Sequence, residues 1–106
     1  MRRVVWARAA RADIESIVSY IAERNPVAAQ AIRDRLHRAA TDLGVSPTGR
    51  RGRVTNTYEK VVTGSPYIVA YSLGADSDGT PIVTILRLIH GARDWTRDRW
   101  PDEAAP

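Results

Sequence analysis

At 106 residues, with 43% apolar and 26% charged side chains, the chain has the length of one domain with one core and the composition of a soluble globular protein. The absence of Cys excludes a disulfide framework and thiolate metal sites, and it points to a reducing cytoplasm. No apolar run approaches the roughly 20 residues of a membrane span, and Val4-Val5-Trp6 behind Arg2-Arg3 is too short for a signal peptide. The net charge of +4 is uneven: residues 1–53 carry eleven Arg against five acids, and residues 54–106 carry five Lys or Arg against seven acids. Arg makes up fifteen of the sixteen cations, which suits bidentate contact with carboxylate or phosphate. Such a surface fits nucleic acid or an acidic protein, and it equally fits a merely Arg-rich exterior.

Arg2 to Trp6 reads as a short first strand. From Ala9 to Glu23, Ala10, Ile14, Ile17, Val18, Ile21 and Ala22 fall on one helical face, with no good N-cap ahead of them. Asn25-Pro26 then ends one helix near Arg24 and starts another, because Asn caps and Pro suits the first helical position. The second helix is expected from Pro26 to Leu43, with Ala29, Ile32, Leu36, Ala39 or Ala40 and Leu43 as its stripe and Gly44 as its stop. So tight a junction makes an antiparallel helical hairpin.

Gly44 to Gly52 reads as a loop, in which Arg50, Arg51 and Arg53 cluster either for phosphate contact or simply in solvent. Val54 to Val62 and Tyr67 to Leu73 have strand composition, the latter with Tyr67, Val69, Tyr71 and Leu73 on one side. Gly74 to Thr80, containing Asp78-Gly79, is a hairpin loop. It leads to Ile82–Ile89, an almost wholly apolar run suited to a strand covered on both faces. Arg87 interrupts that run, so its guanidinium either meets an open face or answers a carboxylate. Trp95 reads as an anchor at the end of the sheet, and Trp100 as a cap or a partner contact. The expected fold is α+β, in the order β-α-α-β-β-β, with the helical hairpin on one face of a small, mainly antiparallel sheet. One domain over residues 1–100 and a loose tail over 101–106 follow.

Phosphate-binding glycine loops, H-E-x-x-H and G-x-S-x-G are missing from the sequence, and two His cannot make a multi-histidine metal site. The expectation is no metal and no cofactor. The remaining chemistry lies in Arg87, His90, Arg93, Tyr67 and Tyr71. A His that moves protons and an Arg that holds phosphorane charge could cleave RNA. Three residues apart on a strand, Arg87 and His90 point to opposite faces unless a bend at Gly91 joins them. A plainer account has His90 finish the strand, with Arg93 and Asp94 as a local ion pair.

Several stretches together resemble the RelE/ParE superfamily of type II toxin–antitoxin modules. They are Tyr20-Ile21-Ala22 followed by Asn25-Pro26-Val27-Ala28-Ala29, Gly49-Arg50-Arg51-Gly52, Tyr67-Ile68-Val69-Ala70-Tyr71, and Ile85 through His90-Gly91-Ala92-Arg93-Asp94-Trp95. The helix junction and the H-G-A-R-D-W ending are most similar to ParE. The resemblance implies the same fold and an antitoxin, encoded by the adjacent gene, that wraps the toxin. It also implies one of two actions: ParE-type members poison DNA gyrase by contact, and RelE-type members cut mRNA on the ribosome. Cutting members usually carry a basic residue where Ile68 stands, although His90 matches a histidine some of them use. The expectation is therefore a binding toxin directed at gyrase, with Arg50, Arg51, Arg53, Arg87, His90, Arg93, Trp95 and Trp100 meeting target or partner. The alternative is a ribonuclease using Arg87, His90 and Tyr71.

Overall fold

The computed structural model describes residues 1–91 of the chain. Strand β1 (Arg3–Trp6) leads into helix α1 (Arg8–Ala22), which a tight turn joins to helix α2 (Pro26–Val45). Strands β2 (Arg50–Arg51), β3 (Tyr58–Val61), β4 (Tyr67–Ala75) and β5 (Pro81–His90) follow. They form one sheet in the order β1-β5-β4-β3-β2, antiparallel except where β1 runs parallel to β5. The expected α+β layering of a helical hairpin on a mainly antiparallel sheet is thus what forms. Among the described residues no helix is long and apolar enough to cross a membrane.

The helical hairpin follows from its junction. The Asn25 side chain accepts the Ala28 N–H at 3.0 Å, and Pro26 opens α2. Helix α1 has no side-chain cap, and the Ala7 N–H instead donates to the Ile85 carbonyl at 2.9 Å, which ties the helix start to β5. Ala10 and Ile14 of α1 and Leu36, Ala40 and Leu43 of α2 bury against Val69, Tyr71, Val83, Ile85 and Leu88 of the sheet. Small side chains at Ala10 and Ala40 let the layers approach, and each large one stabilises the fold by about 1.5–3 kcal/mol.

Four local expectations are corrected. Gly44 does not stop α2, which continues to Val45. Its role is close approach: Arg2 N–H donates to the Gly44 carbonyl at 2.7 Å, and a Cβ there would stand 2.6 Å from the Arg2 oxygen. The loop before Gly52 contains a short strand, β2, which pairs Arg50 with Glu59 and Arg51 with Tyr58. Strand β3 begins only at Tyr58, because Val54 to Thr57 form a turn closed by Thr57 Oγ1 donating to the Val54 carbonyl, with Asn56 at φ 65. Strand β4 runs two residues further, to Ala75, since Asp76 closes the hairpin by accepting the N–H groups of Asp78 and Thr80.

A bulge sets the faces of β5. Ala70 pairs with Arg87 and Tyr71 with Ile85, so Leu86 is extra. Val83, Ile85 and Leu88 therefore all face the helices, while Ile89 shares the opposite face with Ile68 and Ala70.

Candidate functional site

Arg87 answers a carboxylate. Its Nε donates to Asp13 Oδ2 and its Nη2 to Asp13 Oδ1, both at 2.8 Å, with 12% and 15% of the two side chains exposed. Asp13 Oδ2 also accepts the Leu88 N–H at 2.9 Å. Strand β1 ends at Trp6, opposite Ile85, so the edge of β5 beyond that point has no strand neighbour on this side. Helix α1 covers it, and Asp13 supplies the acceptor that a strand would have supplied. The guanidinium is thus a clamp between α1 and β5.

Strand β5 continues through His90, and the Gly91 N–H donates to the Pro66 carbonyl at 2.7 Å, so no bend brings Arg87 and His90 together. His90 lies on the helix face of the sheet, exposed, with its ring edge-on to Tyr67 at 5.6 Å between centroids. Burial, followed by the neighbouring Tyr20 phenol, raises the Tyr67 pKa above its usual value of 10.0, so this phenol stays protonated at neutral pH. Tyr20 is 60% exposed on α1, and the Arg24 guanidinium lies 4.6 Å from its ring centroid. The third proposed ribonuclease residue, Tyr71, is only 1% exposed and donates to the Thr48 carbonyl at 2.6 Å. Burial, followed by Tyr58, raises its pKa as well. Arg87, His90 and Tyr71 therefore do not converge.

The loop cations are held from below. Glu59, 3% exposed, accepts the Arg53 N–H at 2.8 Å through Oε2. Its Oε1 lies 3.5 Å from Arg50 Nη2 and 3.9 Å from Arg53 Nε, without a hydrogen bond of its own. Arg50 and Arg53 thus share one buried carboxylate, while Arg51 is exposed beside them. Arg93, Trp95 and Trp100, together with the proposed tail and its boundary at residue 100, lie outside the described residues.

Sequence reasoning missed Asp13, Glu59 and Tyr20. Asp13 had a signal: it stands next to Ile14 and one turn from Ala10 and Ile17, at the margin of the apolar stripe, where an acid needs a partner. Glu59 had only strand alternation to mark it, and the ring contacts of Tyr20 had none. Among the described residues no group of His, Cys, Asp and Glu could hold a metal ion.

A family model described as "ParE toxin of type II toxin-antitoxin system, parDE" matches residues 4–95. Toxin RelE2 of Caulobacter vibrioides is 39% identical over 94 residues, covering 88% of this chain and 99% of that protein. Putative toxin Y4kP of Sinorhizobium fredii is 32% identical over 95 residues, covering 89% and 93%. A solved structure described as a chromosomal ParDE system from P. aeruginosa superposes with a TM-score of 0.75 at 18% identity, over 85% of this chain and 96% of that one, which carries the fold. With Asn25-Pro26 capping α2 and the strand from Pro81 to His90 inside the matched span, the chain belongs to the ParE toxins of type II toxin–antitoxin systems, within the RelE/ParE superfamily.

Proposed function

We propose that this toxin arrests growth by binding and poisoning DNA gyrase, without covalent chemistry of its own, and that the antitoxin encoded beside it neutralises it. The observation that carries the reading is the dispersal of the groups RNA cleavage would need. A phosphorane requires a cation and a proton carrier within hydrogen-bond reach of one phosphate. Here the Arg87 guanidinium is engaged by Asp13, Tyr71 is closed inside the core, and His90 is exposed at the end of β5 with its ring against Tyr67. Ile68, where cutting members place a cation, is 5% exposed among Ala70 and Ile89. We assign the Arg-rich helical hairpin to the antitoxin, whose acidic segments it would complement.

One observation favours the second reading, a ribosome-dependent endoribonuclease: His90 is exposed beside the protonated Tyr67. A translation extract separates the two. The binding reading expects transcripts to stay intact when purified toxin is added. Cutting that falls by about 10²-fold or more in His90→Ala would establish the alternative.

A further inference from the structure

Between α2 and β3 lies a groove of about 250 Å³, smaller than the cavities that take drug-sized ligands. Arg35, Arg38 and Lys60 line it, with buried Leu43 and Val62 as floor and Val61, 54% exposed, at the lip. Asp42 is the acid in the lining, leaving a net of two positive charges. Among the described residues neither the Arg38 nor the Lys60 side chain has an ion-pair or hydrogen-bond partner, and Asp42 makes no ion pair. A second depression, lined by Arg50 and sharing Lys60 and Val61, continues it along the sheet.

The walls are fixed before anything binds. Arg35 Nη1 donates to the Thr63 carbonyl at 3.0 Å, which locks α2 to the β3–β4 turn. The next residue, Gly64 at φ +80, leaves room for that guanidinium: a Cβ there would stand 2.6 Å from Arg35 Nη1. On the other side, the bond from Tyr71 Oη to the Thr48 carbonyl holds the chain that leaves α2. A groove already shaped needs little ordering on binding, which favours affinity.

We infer that this groove is where an acidic segment of the antitoxin docks, with carboxylates on Arg38 and Lys60 and one apolar side chain on the Leu43–Val62 floor. The inference rests on the toxin–antitoxin reading above and gives it a location. The apolar floor and lip select a peptide over a nucleic-acid backbone, which would use the cations and leave Val61 and Val62 without a contact. Arg38 and Lys60 steer the encounter, and their charge appears as salt dependence of binding.

The test measures calorimetric affinity for the purified antitoxin encoded by the adjacent gene, comparing wild-type toxin with Arg38→Glu/Lys60→Glu. Arg3→Glu, on β1 at the opposite edge of the sheet, is the control, and circular dichroism verifies folding. The expected result is a loss of at least about thirtyfold in the double variant, less than threefold in the control, and a weaker salt dependence in the double variant. Equal affinities for wild type and double variant would overturn the inference while leaving the toxin–antitoxin reading intact. Failure of wild-type toxin to bind the antitoxin would overturn both. A single-stranded oligonucleotide of about 12 nucleotides serves as the competing probe. If the double variant loses the oligonucleotide and keeps the antitoxin, the groove belongs to nucleic acid and the inference is wrong. Val61→Asp gives an independent check, since it leaves the cations in place and should still weaken the antitoxin at least about tenfold.

Discussion

Asp13 and Arg87 stand 74 residues apart in the chain and meet in a two-pronged ion pair, with both bonds at 2.8 Å and a third from the Leu88 N–H to the same carboxylate. The pair closes the part of the β5 edge that β1 is too short to cover. It also engages the one cation of the apolar strand. Removing the acid leaves Arg87 largely shielded and the Leu88 N–H without its acceptor. Asp13→Ala should therefore cost about 3 kcal/mol in urea unfolding, at the low end for a buried pair because both side chains keep some exposure. Asp13→Leu combined with Arg87→Met should recover the part of that loss due to the stranded charge, leaving the cost of the Leu88 N–H without its acceptor. A double variant no more stable than Asp13→Ala would mean that the pair does more than satisfy its own charges.

Gly44 gives a prediction of unusual sign. Gly to Ala inside a helix ordinarily stabilises by about 1 kcal/mol. Here the new methyl would lie 2.6 Å from the Arg2 oxygen and 2.8 Å from a Val4 methyl, so β1 or α2 must shift. Gly44→Ala should destabilise by about 1–3 kcal/mol in denaturant titration. A gain in stability would show that the first strand is free to move away.

Glu59 holds the basic loop in place. Glu59→Ala would leave Arg50 and Arg53 without their shared carboxylate and the Arg53 N–H without its acceptor. The expected cost is about 2–3 kcal/mol, concentrated locally. Hydrogen exchange should accelerate at the Arg53 amide well before it does in β4 or β5. Uniform acceleration across the sheet would contradict a local role.

These residues show what could be read ahead of the structure. The helical hairpin was legible because Asn25-Pro26 acts through local backbone chemistry, and the order of elements because apolar spacing reports burial directly. Arg87 declared that it needed a partner, but long-range pairing is set by the sheet register and by where β1 ends, which no spacing within β5 reveals. Gly44 misled for a related reason: a helix-stopping glycine and one that admits a crossing strand look the same in sequence. The candidate site was less legible than the fold. Arg50, Arg51 and Arg53 were visible as a cluster, yet the acid that holds two of them lies on a strand whose start the Val54–Thr57 turn displaces. The groove between α2 and β3 joins residues 35 to 63, and only the folded chain assembles it.

The two shielded phenols set an alkaline limit. The pKa values of Tyr67 and Tyr71 are raised above 10.0 in the folded state, chiefly by burial. Above pH 10 the unfolded chain sheds these protons first, so it binds fewer than the folded chain and stability falls as pH rises. Below pH 10 both states are protonated and the contribution is constant. Thermal unfolding should show a plateau up to about pH 10 and a decline beyond it. Tyr71→Phe should flatten that decline, while lowering stability at neutral pH by about 1–2 kcal/mol through the lost bond to the Thr48 carbonyl. An unchanged alkaline slope in the variant would assign the decline to other groups.

The most direct test of the account is DNA supercoiling by purified gyrase in the presence of this toxin. The account predicts that supercoiling stops as toxin is added, that the antitoxin restores it, and that Arg87→Met combined with Asp13→Leu, which keeps the clamp's packing without its charges, still inhibits. Undiminished supercoiling at saturating toxin, from a protein that nevertheless arrests growth, would contradict it.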